Sequence, residues 1–230
     1  MAAKRTNRFT ATEKSWICYD WANSVYATII MAAVFPIYFA NVTAKSGVSG
    51  DVWWGYASSL ATLVLALLAP IMGAVGDFRG MKKKLFAVCV AVGTLFTLLM
   101  AIADQWQWML VGYIISYLGF ALGNLFYDSF LTDVTTPERM DMVSARGFAM
   151  GYIGGSTIPF LLGIGLTVFA PNLHIQSTTA VKICVVITSL WWAAFSIPLF
   201  RDVKQNYYIE RPAGSIIRAS LNNLLHTARE

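Results

Sequence analysis

Residues 53–84 run WWGYASSLATLVLALLAPIMGAVGDFRGMKKK. The stretch from Trp53 to Val75 carries no charge, and an acid and four cations then crowd into Asp77–Lys84. At about 1.5 Å per helical residue, the uncharged part is long enough to cross the roughly 30 Å hydrocarbon core of a bilayer. Lipid offers no hydrogen bonds to a bare backbone, so a segment of this kind must be a helix rather than an open strand. The same alternation recurs along the chain. Apolar spans are expected at Trp16–Ala40, Trp53–Val75, Leu85–Ala103, Trp106–Tyr127, Gly147–Ala170 and Ile183–Phe200. Asp104 and Gln105 leave only a tight turn between the third and fourth, which predicts an antiparallel hairpin. Composition agrees: 57% of the 230 residues are hydrophobic and 13% charged, against about 25% charged in an average soluble domain. The expected fold is an all-α membrane protein, a six-transmembrane-helix bundle over residues 16–200. A polar segment, 1–15, precedes it, and a tail, 201–230, follows. In the tail Ile216, Ile217, Leu221, Leu224 and Leu225 recur at the spacing of an amphipathic helix.

The cations sort by side. The N-terminus, the second and fourth loops and the tail hold Lys4, Arg5, Arg8, Lys14, Arg79, Lys82, Lys83, Lys84, Arg139, Arg146, Arg201, Lys204, Arg211, Arg218 and Arg229, whereas the other loops hold only Lys45 and Lys182. This bias predicts that both termini are cytoplasmic. Trp16 would sit at the inner membrane edge and Trp53, Trp54, Trp106 and Trp108 at the outer one, while Trp191 and Trp192 fall mid-span and need a packing reason. The net charge of +5 follows from the loop bias and implies no nucleic-acid partner. The first apolar stretch is too long for a signal core, carries Asp20 and lacks a small-residue cleavage site, so it should remain as the first span. Cys18, Cys89 and Cys184 lie inside apolar segments without metal or disulfide spacing, and His174 and His226 have no partner at ligand spacing. No cofactor or metal and no enzyme activity is expected, because no nucleophile–base pair or phosphate loop is present.

Polar residues inside the spans are the candidates for function, since lipid makes them costly. Asp20, Ser24 and Thr28 recur every fourth residue of the first span, with Asn23 alongside, forming a polar stripe suited to a water-filled cavity. On the fourth span Ser116, Asn124 and Asp128 share a face, with Tyr127 beside it. Asp20 and Asp128 fall near the same end of their helices, and Arg146, opening the fifth span, could neutralise one of them. Gly147, Gly151 and Gly155 form a small-residue stripe suited to close helix packing. In the loop after the second span, Gly73, Asp77, Arg79, Gly80, Lys82 and Lys83 form a compact motif. Its glycines permit a tight turn, its acid can pair with an arginine or a helix start, and its lysines hold the loop in the cytosol.

That motif resembles the loop signature of the major facilitator superfamily, with Phe78 where a basic residue is usual. Tyr19–Thr28, Phe35–Phe39, Phe126–Ser129, Ser144–Gly147 and Gly151–Gly155 are similar to the vacuole effluxer (autophagy-related protein 22-like) family within it. The resemblance runs from Trp16 to the tail and implies the N-terminal half of a twelve-helix secondary transporter. It further implies that the first and fourth spans line a central cavity, that Asp20 and Asp128 serve as gate or coupling groups, and that a small metabolite such as an amino acid is exported. Protons would be the coupling ion. The lipid bilayer and a second six-helix half, from the same or another chain, would be partners. The membrane would be the inner one in a bacterium and the vacuolar one in a fungus. Tyr152 stands where antiporters carry a proline, so antiport is not implied. A non-transporting assembly or regulatory component derived from a shortened transporter is the alternative.

Overall fold

The computed structural model describes residues 8–210 and Ser220. The proposed amphipathic tail residues and His226 lie outside the described residues. Among those described, six helical spans are long and apolar enough to cross a membrane: Ala11–Ala44, Gly50–Gly76, Lys82–Ile102, Trp106–Val134, Pro137–Phe169 and Ser177–Asp202. All six predicted spans are therefore present, but the first, fourth, fifth and sixth run well beyond their apolar cores. The first starts early because Thr10 and Glu13 form a reciprocal capping box: the Thr10 hydroxyl accepts from Glu13 N at 3.1 Å and Glu13 Oε2 accepts from Thr10 N at 2.8 Å. The mixed segment after Asp128 adds a short turn to the fourth span, and Pro137 then opens the fifth at a first-turn position, where its missing N–H costs nothing.

Two spans change pitch midway. Ala27–Ala33 in the first and Gly151–Thr157 in the fifth are wide, π-type turns. Each is followed within three residues by a proline, Pro36 or Pro159. Proline lacks the N–H of the ladder and its ring presses on the preceding turn, which favours such local opening. Proline alone is not sufficient, since Pro70 and Pro198 lie inside helices that remain α.

The third and fourth spans pack most closely, as their short connection predicts. Gly119 is the reason: a β-carbon there would lie 2.7 Å from the Cys89 carbonyl oxygen and 2.7 Å from Gly93 Cα. The third span also packs on the sixth and the sixth on the first, while the second span rests chiefly on the fourth and the fifth on the first. Between the first and fourth, large side chains fill the gap. Tyr26 Oη and Ser116 Oγ share a buried hydrogen bond of 2.7 Å. Trp192 is fully buried, inserts its ring over Gly93 and donates to Tyr19 Oη at 3.3 Å. Trp191 stacks against Trp21 and donates to its carbonyl at 3.1 Å. The two mid-span tryptophans thus have their packing reason. The bundle's outside is apolar, with Leu60, Leu63 and Leu67 exposed on the second span and Leu161, Leu162 and Val168 on the fifth, as a surface facing lipid or another bundle requires.

Candidate functional site: a polar cavity between the first, fourth and fifth spans

At one end of the bundle the N-terminal segment, the loop around Gly80, the 130–139 turn and the residues after the sixth span come together. Just inside this basic end lies a cavity of about 440 Å³ lined by Trp16, Asp20, Asn23, Asn124, Tyr127, Asp128, Leu131, Ser144 and Phe148. The two acids proposed from the sequence therefore face one space. Asn23 Nδ2 donates to Asn124 Oδ1 at 2.7 Å, joining the first span to the fourth across its wall. Trp16 Nε1 donates to the Tyr127 carbonyl at 2.9 Å, and the two rings stack with centroids 4.3 Å apart. Tyr19 packs against Tyr127, their ring centroids 4.9 Å apart.

The glycine stripe of the fifth span packs on the polar stripe of the first. A β-carbon on Gly147 would meet Asp20 Oδ2 at 2.8 Å and Tyr127 Oη at 3.3 Å, one on Gly151 would meet Ser24 Oγ at 2.7 Å, and one on Gly155 would meet Ser24 Cβ at 2.7 Å. Small residues let the fifth helix come close enough to wall the cavity. Not every proposed residue faces it. Thr28 Oγ1 bonds back to the Ser24 carbonyl at 3.1 Å, and Ser24 Oγ reaches Asn23 Oδ1 at 3.4 Å. Arg146 is exposed and forms no ion pair among the described residues. The sequence reading overlooked Trp16, Leu131, Ser144 and Phe148. Trp16 stands one turn before Asp20, and Ser144 and Phe148 are four apart beside Gly147, so extending both stripes by one turn would have found three of them.

The loop motif is built differently from its expectation. Lys82 does not hold the loop in solvent: it is 5% exposed and its Nζ lies 2.8 Å from Asp133 Oδ2 while donating to the Ser129 carbonyl at 3.2 Å. The other Asp133 oxygen accepts from Asn206 N at 2.7 Å and Tyr207 N at 2.9 Å. A buried ammonium needs such a partner. Lys83 Nζ donates to the Val203 carbonyl at 2.8 Å. Gly80 turns with φ +70°, and its N–H donates to Gln205 Oε1 at 2.9 Å, while Gln205 Nε2 donates to the Gly76 carbonyl at 3.0 Å. Asp77 and Ile209 pair through Ile209 N to the Asp77 carbonyl at 2.8 Å. The Asp77 side chain is exposed and makes no ion pair among the described residues, and the third span begins without a side-chain cap. Gly73 has room for a side chain, whereas a β-carbon on Gly76 would strike the Phe126 ring at 2.7 Å. Arg79 pairs with Glu210 at 3.3 Å. The motif thus ties the second and third spans to the segment leaving the sixth. Glu13, missed from sequence, completes this end by holding Arg139 through both oxygens, at 2.8 Å and 2.9 Å.

A six-span bundle with a polar cavity near one end and this loop signature has the architecture of one half of a major facilitator transporter fold. The chain belongs to the family described as Vacuole effluxer Atg22 like, which matches residues 53–138 and 132–230. It is 41% identical over 219 residues to an uncharacterized MFS-type transporter, YxiO, of Bacillus subtilis (strain 168), an alignment covering 92% of this chain and 51% of that protein. The chain therefore spans about half the length of the curated relative it matches. No solved structure matches it. The family places the chain in a lipid bilayer as a multi-pass protein.

Proposed function

We propose that this bundle is one half of a secondary transporter and that its small-metabolite path runs through the Asp20–Asp128 cavity. The observation that carries the reading is the grouping of two carboxylates and two hydrogen-bonded asparagines in one cavity of the bundle. Intramembrane acids persist where water, an ion or a substrate reaches them. The apolar faces of the second and fifth spans would receive the second six-helix half, and substrate would bind between the halves as they rock. Export of an amino acid or similar solute is the direction and class that family resemblance favours. Protons are the proposed coupling ion, taken up by Asp20 or Asp128. The basic end is assigned to the cytoplasm from its lysines and arginines, with both termini there.

The test is proteoliposome flux by the assembled transporter containing both halves, driven by an imposed pH gradient. Asp20→Asn should abolish proton-linked flux while leaving protein abundance in the membrane unchanged. Normal flux in that variant would remove Asp20 from the mechanism.

A further inference from the structure

A second cleft at the basic end shares no residue with the Asp20 cavity. It lies between the start of the third span, the end of the sixth and the segment that follows, and measures about 660 Å³. Arg79, Lys83, Lys84 and Lys204 line it, and among the described residues no carboxylate does. Two nearby acids offset part of this charge. Glu210 meets Arg79 at 3.3 Å in an exposed pair, which screens little, and Asp202, which stays charged while accepting from Ser15 Oγ at 2.6 Å, acts on Lys83, so cations remain in excess. Lys83 spends one donor on the Val203 carbonyl and keeps two. Lys84 and Lys204 are exposed. A concave site with this excess of positive charge favours an anion that accepts several hydrogen bonds, for which phosphate is the matching group.

The cleft's other wall is apolar. Ala87 and Phe200 also line it. Just beyond them, away from the basic end, Val88 and Ile197 are 56% and 61% exposed. Cations at the mouth with an apolar lane leading along the outside of two membrane spans suit an amphiphile rather than a soluble anion. We propose that this cleft binds an anionic phospholipid, with the phosphate among Arg79, Lys83, Lys84 and Lys204 and acyl chains along Val88 and Ile197. Because Arg79 belongs to the loop motif and Lys204 to the segment after the sixth span, the lipid would hold those two together.

The test is native mass spectrometry of the detergent-purified chain titrated with phosphatidylglycerol or phosphatidylcholine. Phosphatidylglycerol should be retained in preference, and Lys84→Gln/Lys204→Gln should weaken its binding about tenfold or more. Lys14→Gln/Arg146→Gln removes the same charge from the same end outside the cleft and should leave binding unchanged; a detergent melt checks that both variants fold. Equal loss in the control pair would mean diffuse attraction and overturn the proposal. So would equal retention of the two lipids. Displacement of phosphatidylglycerol by glycerol 3-phosphate at millimolar concentration would show that the cleft takes a soluble phosphate, which overturns the lipid assignment.

Discussion

The Asp20 carboxylate rests against the backbone of Gly147, where a β-carbon would stand 2.8 Å from Asp20 Oδ2. Two stripes on different helices, one acidic and one of glycine, are thus a single construction: the glycine leaves the space that the carboxylate occupies. Because the clash would fall on the end of a side chain rather than on backbone, a methyl group here displaces the acid without unfolding the helix pair.

Gly147→Ala should therefore lower flux of the assembled transporter by about tenfold, a change of about 1.4 kcal/mol in the barrier, with a melting temperature close to that of the parent. Gly165→Ala, on the same span with open space around it, is the matched control and should change neither. A parent-like rate in Gly147→Ala would show that the Asp20 position is not critical.

At Gly119 the obstacle is backbone, so the outcome differs. Cys89 O and Gly93 Cα cannot move aside without separating the third and fourth spans. Gly119→Ala should destabilise the bundle by about 1–3 kcal/mol, read as reduced unfolding free energy in mixed micelles. Gly55→Ala meets nothing within 4 Å and should be neutral or slightly stabilising.

Lys82 and Asp133 are nearly inaccessible, with side chains 7% and 0% exposed. Removing either alone leaves a buried charge without its partner. Lys82→Met or Asp133→Leu should each cost about 3–5 kcal/mol, and the double variant should recover a large part of that loss because no bare charge remains. A double variant no better than the worse single one would show that the surrounding hydrogen bonds, rather than the ion pair, hold this junction.

Asn23 and Asn124 form one of the few polar contacts between the first and fourth spans. A double-mutant cycle with alanine should give a coupling of about 0.6 kcal/mol, the average for hydrogen bonds between membrane helices. The small expected value matters: a large flux defect in either single variant, beside so small a coupling, would assign the asparagines to the transport path rather than to packing.

What the sequence determined by itself is the set of six spans, their approximate ends, the hairpin of the third and fourth, and the family. Each follows from length and charge along one dimension: Trp53–Val75 has to be helical in lipid, and Asp104–Gln105 leaves room only for a turn. The acidic stripe was also legible, because a carboxylate at position 20 of an apolar helix is costly wherever the helix points. Tertiary structure alone decided which faces meet. In a bilayer the lipid-facing and core-facing sides of a helix are both apolar, so the periodicity that marks the inside of a soluble helix is faint. For that reason the sequence could show the Gly147 stripe and the Asp20 stripe but not that they pack together. It could count the lysines of the second loop but not that Lys82, unlike Lys84, is sealed against Asp133, 51 residues away. Burial of that ammonium depends on the rotation of two helices and on the path of the chain after the sixth, and these are set only when all six pack.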